Sequence, residues 1–262
     1  MTSITLALIG LGAIVAASTL VWMISVRLRD ASIADIFWGF GFVVLACLYC
    51  VLSPTLTPRS WLVAMLITLW GARLSWHILR RNHGKEEDPR YQAMRASHGK
   101  AFWWRSLFTV FWLQGAILWF VAIPLLAAVV AAHPAALTVV DGLGVLLFAV
   151  GFSFEVVGDR QLRRFRADPS NRGRVLDRGL WRYTRHPNYF GDAVLWWGLY
   201  VIAAATPYGW LTVLSPALMT VLLMRVSGVT LLEQSLKASK PGYHAYIART
   251  PAFLPWFPRV PR

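Results

Sequence analysis

Residues 181–205 read WRYTRHPNYFGDAVLWWGLYVIAAA. Arginines, a histidine, an asparagine and an aspartate crowd the first half, and the second half is apolar. Polar groups gathered at one end of an apolar run mark the doorway of a helix passing from water into a bilayer. The rest of the chain agrees with that reading. Of 262 residues, 57% are hydrophobic and only 15% charged, with 14 Trp. A soluble domain of this length could not hide so much apolar surface in long unbroken runs, so the class is an integral membrane protein.

A membrane-spanning helix needs about 20 mostly apolar residues. Seven such runs are present, at 4–26, 33–52, 60–80, 106–132, 138–158, 190–205 and 209–232. The first is too long for a signal-peptide core and has no small-residue cleavage site after it, so it reads as a retained helix. The formal net charge is +14, from 26 Lys+Arg against 12 Asp+Glu. In a soluble protein that excess would suggest nucleic acid; here it sorts by membrane side, and no nucleic-acid partner is expected. Segments 27–32, 80–105, 159–187 and the tail after 232 hold 2, 7, 9 and 5 of the basic residues. The opposite loops hold only Arg59, while Arg73 and Arg225 lie within the apolar runs. The positive-inside rule then predicts an all-α bundle of seven transmembrane helices, N-terminus outside and C-terminus cytosolic, as one membrane domain over 1–262. Cys47 and Cys50, three apart on the second span, are poorly placed for a disulfide and read as small apolar packers.

The cytosolic loops carry the information. Residues 159–192 contain nine Arg and no Lys. Orientation alone would accept either cation, whereas an all-Arg choice suits planar, bidentate recognition of phosphate or carboxylate. Codon bias with headgroup contact is the plainer explanation. The fifth span is expected to continue as FEVVGDRQLRRFR, with Glu155, Asp159, Arg163 and Arg166 on one face. Those four could form salt bridges along a solvated stripe, or hold a ligand that carries both hydroxyls and phosphates. Pro187 suits the first turn of the sixth helix. Its free N–H groups would favour an anion at the cytosolic interface, with Asn188 and Asp192 on one face of that turn.

Asp35, Arg73, His77, Glu155, Asp192, Arg225 and Glu233 are polar groups in or beside apolar runs, and such groups are functional candidates. Asp35 is too short to snorkel, so it either meets an arginine or faces a polar cavity. GLGAIV at 10–15 and GLGVLL at 142–147 lie inside spans without a preceding strand and are not dinucleotide turns. No His/Cys set has metal-ligand spacing, so no metal is expected. Chemistry is expected from a soluble cofactor approaching from the cytosol.

NRGRVLDRGLWRYTRHPNYFGD, RRNHGKEEDPRY and SGVTLLEQSLKASKPGYHAYIARTPAFLPWFP together resemble the steroid 5-alpha-reductase superfamily, most closely its bacterial branch. The likeness runs from about residue 30 and is strongest over 155–192. It implies NADPH bound on a cytosolic face formed by 80–105, 155–192 and 225–262. By position, the family's cofactor residues fall on Asp159, Arg163, Arg166, Arg174, Tyr183, Asn188 and Asp192, and on Asn82 and Lys85 around Gly84. The reaction implied is hydride delivery to an activated double bond of a lipophilic, steroid-like or isoprenoid substrate arriving from the bilayer. Asp35 stands roughly where those reductases place a catalytic glutamate. Their tyrosine on the next helix has no counterpart in LITLWGARLSWHIL, and His77 is the candidate in its place. The family also implies contact with membrane lipids and, from its bacterial branch, a bacterial inner membrane. The alternative is an S-adenosylmethionine-dependent methyltransferase, because isoprenylcysteine carboxyl methyltransferases are similar around RHPNY and the C-terminal tail.

Overall fold

The computed structural model describes residues 1–226, 229, 233, 236–237 and 239–259. Every regular element among them is helical. Six stretches are long and apolar enough to cross a membrane: Ser3–Leu28, Ile33–Leu52, Pro58–Asn82, Pro89–Val121, Val139–Ala167 and Gly209–Val226. The protein is an all-α, multi-spanning membrane protein. The expected sixth span forms a helix, Pro187–Ala204, but its first turns carry Asn188 and Asp192, and it is not among the six. Part of the expected last span, 227–228 and 230–232, lies outside the described residues.

The chain divides into two compact units, Met1–Thr138 with Ala203–Ser215, and Val139–Ile202 with Pro216–Arg262. In the first unit, α1 (Ser3–Leu28) starts at Thr2, whose hydroxyl accepts from the Thr5 N–H at 3.1 Å. It ends at Arg29 in the left-handed region, φ 55. Ile4, Leu8 and Leu20 of α1 are exposed, as side chains facing lipid must be. α2 (Ile33–Leu52) and α3 (Pro58–Asn82) meet at Gly39 and Gly71. A Cβ on Gly71 would lie 2.5 Å from the Gly39 carbonyl oxygen, so only glycine permits that approach. α3 opens with Pro58 after a reciprocal cap between Thr57 and Ser60. Arg59 is fully buried and donates to the carbonyls of Pro134 at 2.9 Å and Ala136 at 3.4 Å.

The expected fourth span, 106–132, differs from the structure at both ends. It starts earlier, at α4 (Pro89–His98), and continues through α5 (Phe102–Ser106), a π turn at Leu107–Trp112 and α6 (Leu113–Val121). It then breaks at Ala122, and α7 (Ile123–Val130) begins afresh with Pro124 in its first turn. The proline removes an amide that a continuous helix would need. The Ser215 hydroxyl donates to the Val121 carbonyl at that break, at 2.5 Å.

In the second unit, α8 (Val139–Ala167) has 29 residues, about 43 Å at 1.5 Å per residue. The arginine-bearing extension is therefore helical, as its spacing predicts. α9 (Pro187–Ala204) begins at the expected proline. The two helices pack through glycines spaced seven apart: Gly144 and Gly151 on α8 face Gly198 and Gly191 on α9. A Cβ on Gly191 would stand 2.4 Å from the Gly151 carbonyl oxygen and 2.5 Å from the Glu155 amide. GLGVLL thus belongs to a helix-packing stripe. α10 (Leu214–Val221) leads into a π turn at Leu222–Val226, and α11 (Tyr243–Arg249) lies near the C-terminus.

Gly191→Leu should therefore cost about 3 kcal/mol or more, since the obstruction is backbone. Gly142→Leu on the same α8 meets nothing within 4 Å and should be silent. Thermal melts of the two detergent-solubilised variants check this; equal melting temperatures would refute the glycine interface.

Candidate functional site

The second unit contains a small cavity of about 50 Å³ beside residues 181–186. Three stretches wall it: the end of α8, the loop that follows, and the C-terminal region. Phe165, Trp181, Tyr243 and Tyr246 supply aromatic faces; Arg166, Arg185, His186 and Lys240 supply the nitrogen groups. Its lining combines apolar walls with a few converging polar groups.

One buried carboxylate organises the wall. Glu233 accepts from Arg185 Nε at 2.7 Å and from His186 Nε2 at 3.1 Å. Arg185 is 8% exposed and His186 1%. Burial pushes the Glu233 carboxyl upward, but the hydrogen bonds from His186 and Arg185 and the charge of Arg185 outweigh it, holding the pKa at about 2. Arg185 Nη1 also donates to the Thr250 and Ile247 carbonyls. His186 Nδ1 is buried without a hydrogen-bond partner among the described residues. The Tyr243 hydroxyl sits beside Arg185, short of bonded geometry. Burial, then the Glu233 charge, pushes it up to about 12. Tyr246 donates to the Trp181 carbonyl, and Trp181 Nε1 donates to the Gly158 carbonyl at 3.1 Å.

Lys240 is held below its ordinary pKa by burial and then by the neighbouring charge of Arg166. Two cations that repel one another in this way favour an anion between them. Lys240 Nζ donates to the Arg174 carbonyl at 2.5 Å.

The expected cofactor residues are only partly gathered here. Arg166 lines the cavity. Asp159 and Asn188 are joined, Asn188 Nδ2 donating to Asp159 Oδ1 at 3.1 Å, and Asp192 is buried on α9. Arg163 is exposed on α8 and Arg174 is exposed in the loop; neither side chain walls the cavity. Tyr183 packs edge-on against Phe257, ring centroids 6.1 Å apart. Asn82 and Lys85 belong to the first unit, where Asn82 ends α3 and accepts from Arg81 Nε at 3.2 Å, and Lys85 is exposed.

Arg185, His186 and Glu233 form the network that sequence reasoning missed as a set. The available signal was a glutamate inside the apolar VTLLEQSL and an Arg-His pair ahead of a helix-opening proline.

The first unit holds a second polar cluster. Asp35, in the first turn of α2, accepts from Arg90 Nη2 at 2.6 Å and from the Tyr91 hydroxyl at 2.7 Å. It meets an arginine, one of its two expected fates. Both of its carboxyl oxygens accept. Gln114 Nε2 donates to the Tyr91 hydroxyl at 3.1 Å. Asp88 caps α4 ahead of Pro89, and that turn delivers both Arg90 and Tyr91. Gln114 and Ser18 line an adjoining apolar hollow with Phe37, Trp38, Phe111 and Leu118. The Ser18 hydroxyl is buried there with no partner among the described residues. His77 stands half-buried on α3.

Residues 21–250 match the family described as "Protein of unknown function (DUF1295)". The chain belongs to the DUF1295 family. A protein of Schizosaccharomyces pombe (strain 972), itself described as uncharacterized, is 25% identical over 270 residues, covering 89% of this chain and 75% of that protein. No solved structure matches. In this DUF1295 protein the matched region takes in the whole 181–192 segment as well as Asp35, Tyr91 and Glu233.

The Glu233 pairing has a pH signature. A carboxyl lowered from 4.5 to about 2 on folding stabilises the protein above 4.5, and that contribution is lost as pH falls toward 2. Glu233→Gln leaves Arg185 buried without its counter-ion and should cost about 3–5 kcal/mol near neutrality. It should also flatten the acid limb of the melting profile. An unchanged limb would show that the carboxylate is not paired in solution.

Proposed function

We propose that this protein is an NADPH-dependent reductase of an activated C=C bond, such as an enone, in a lipophilic substrate. One observation carries the reading: two cations, Arg166 and Lys240, line the same aromatic-walled cavity of the second unit. Phosphates relieve the repulsion between them. S-adenosylmethionine offers one carboxylate, offset by its ammonium and sulfonium, and suits two cations less well.

The resemblance to the steroid 5-alpha-reductase superfamily supports the same cofactor. On this reading α9 also crosses the membrane, bringing the spans to seven, the N-terminus lies outside, and the cavity opens to the cytosol of a bacterial cell. Arg163, Arg166 and Arg174 serve the phosphates; Asp159, Asn188 and Asp192 serve hydroxyl and amide groups; Tyr183, Asn82 and Lys85 keep the roles the resemblance gives them. When bound, NADPH supplies a hydride to the β-carbon of the enone. Charge then builds on the substrate's carbonyl oxygen, and a donor must meet it.

The resemblance gives that role to Asp35 and His77. Tyr91 donates its hydroxyl proton to Asp35 at 2.7 Å and accepts from Gln114, so it positions the Asp35 carboxyl. A proton from water then completes the saturated product at the α-carbon.

Detergent-solubilised protein should be stabilised by NADPH, by about 2.7 kcal/mol at a hundredfold excess over Kd. NADH should stabilise less, and S-adenosylhomocysteine not at all. Stabilisation by S-adenosylhomocysteine alone would overturn the reading in favour of a methyltransferase. Arg166→Ala should weaken NADPH by about tenfold or more while changing NADH less.

Tyr91→Phe keeps the ring and removes the donor. With Asp35 no longer held, kcat for enone reduction should fall about 10²-fold with NADPH binding unchanged. A wild-type kcat in that variant would remove Tyr91 from the chemistry.

A further inference from the structure

Residues 249–259, RTPAFLPWFPR, form a loop closed on itself: the Arg259 N–H donates to the Arg249 carbonyl at 2.8 Å. Pro251, Pro255 and Pro258 stiffen it. Its backbone is pinned to the opening segment at three points. The Arg185 N–H donates to the Pro251 carbonyl at 2.9 Å, the Trp256 N–H to the Tyr183 carbonyl at 2.9 Å, and the Thr184 hydroxyl to the Phe253 carbonyl at 2.8 Å. Phe253 turns inward and is 9% exposed. Leu254, Trp256 and Phe257 turn outward and are 70%, 72% and 72% exposed. A rigid loop that shows three large apolar side chains in four residues is built to meet something apolar.

Its position within the second unit says what. Phe253 packs edge-on against Phe190, centroids 6.0 Å apart, and Phe190 packs on Phe154 at 5.1 Å. Phe154 belongs to the membrane-crossing α8, so the loop is two ring contacts from a span. It is also fastened two residues before Pro187, where the apolar α9 begins. Arg182 and Arg259 are exposed around it, while Arg249 is half-buried and pairs with Asp177. Tryptophan and phenylalanine flanked by arginines are the composition of a membrane interface.

We propose that the loop 249–259 is an interfacial anchor. Leu254, Trp256 and Phe257 insert about 5–10 Å into the headgroup–acyl boundary of the leaflet at the start of α9. Arg182 and Arg259 meet lipid phosphates. The lipid is the protein's own bilayer, and the anchor holds the segment carrying Arg185 and His186 at a set height beside it.

The test uses full-length protein with Cys47 and Cys50 replaced by alanine, reconstituted in phosphatidylethanolamine–phosphatidylglycerol vesicles. A bimane probe is attached through Trp256→Cys and, separately, Leu254→Cys; Ser170→Cys, exposed in the preceding loop, is the aqueous reference. The Trp256 backbone bond survives substitution, and two positions guard against one variant failing to fold. The anchor predicts blue-shifted emission at both positions, quenched by a nitroxide high on the lipid chain more than by one near its end, and protected from iodide. Emission and iodide quenching equal to the Ser170→Cys reference would overturn it. So would iodide protection without lipid quenching, which would mean that protein covers the loop.

Discussion

Arg185 carries a charge into a nearly closed interior, and an ion so placed must recover its lost hydration from the protein. Glu233 supplies the counter-charge, and the Thr250 and Ile247 carbonyls take the guanidinium's remaining donors. A buried pair of this kind adds little net stability, but breaking it leaves a charge with no solvent, so it constrains everything it touches. It touches a good deal. Arg185 opens the approach to α9, Glu233 lies beyond α10, and Thr250 begins the aromatic loop. The cavity between α8's end and the C-terminal region keeps its shape because these segments cannot drift apart without stranding the guanidinium.

The glycine stripe between α8 and α9 does a different job. In lipid, apolar side chains gain nothing by leaving one apolar surface for another, so helices associate through close backbone packing. Gly144, Gly151, Gly191 and Gly198 let the backbones approach to where a Cβ would collide. That closeness brings Asn188 against Asp159 across the same pair of helices. The glycine packing and the polar contact beyond it are one arrangement. In the first unit Gly39 and Gly71 perform the corresponding service for α2 and α3.

Aromatic residues divide along the same logic. Trp70 and Trp196 are fully buried, Trp22 and Trp119 donate to backbone carbonyls, and Trp61, Trp76 and Trp256 face outward. An indole has an apolar body and one donor, so it can fill a helix interface or sit at a lipid boundary with equal ease. Composition therefore counts tryptophans without sorting them.

The sequence alone determined what depends on neighbours close along the chain. Apolar runs announce a multi-spanning membrane protein; Pro187 announces the start of α9; the i, i+4 spacing from Glu155 to Arg166 announces a helical extension. Hydropathy and helical period are local, so they can be read locally. Which polar groups meet was decided only by tertiary structure. Asp35 and Tyr91 are 56 residues apart, and Arg185 and Glu233 are 48 apart. The arginines that look most alike in the sequence part company there: Arg185 is buried on a carboxylate, Arg166 lines the cavity, and Arg163 and Arg174 face solvent. A guanidinium has the same chemistry at each place. What differs is whether the fold brings it a partner and removes its water, and that belongs to packing between distant segments, which no short stretch of sequence contains.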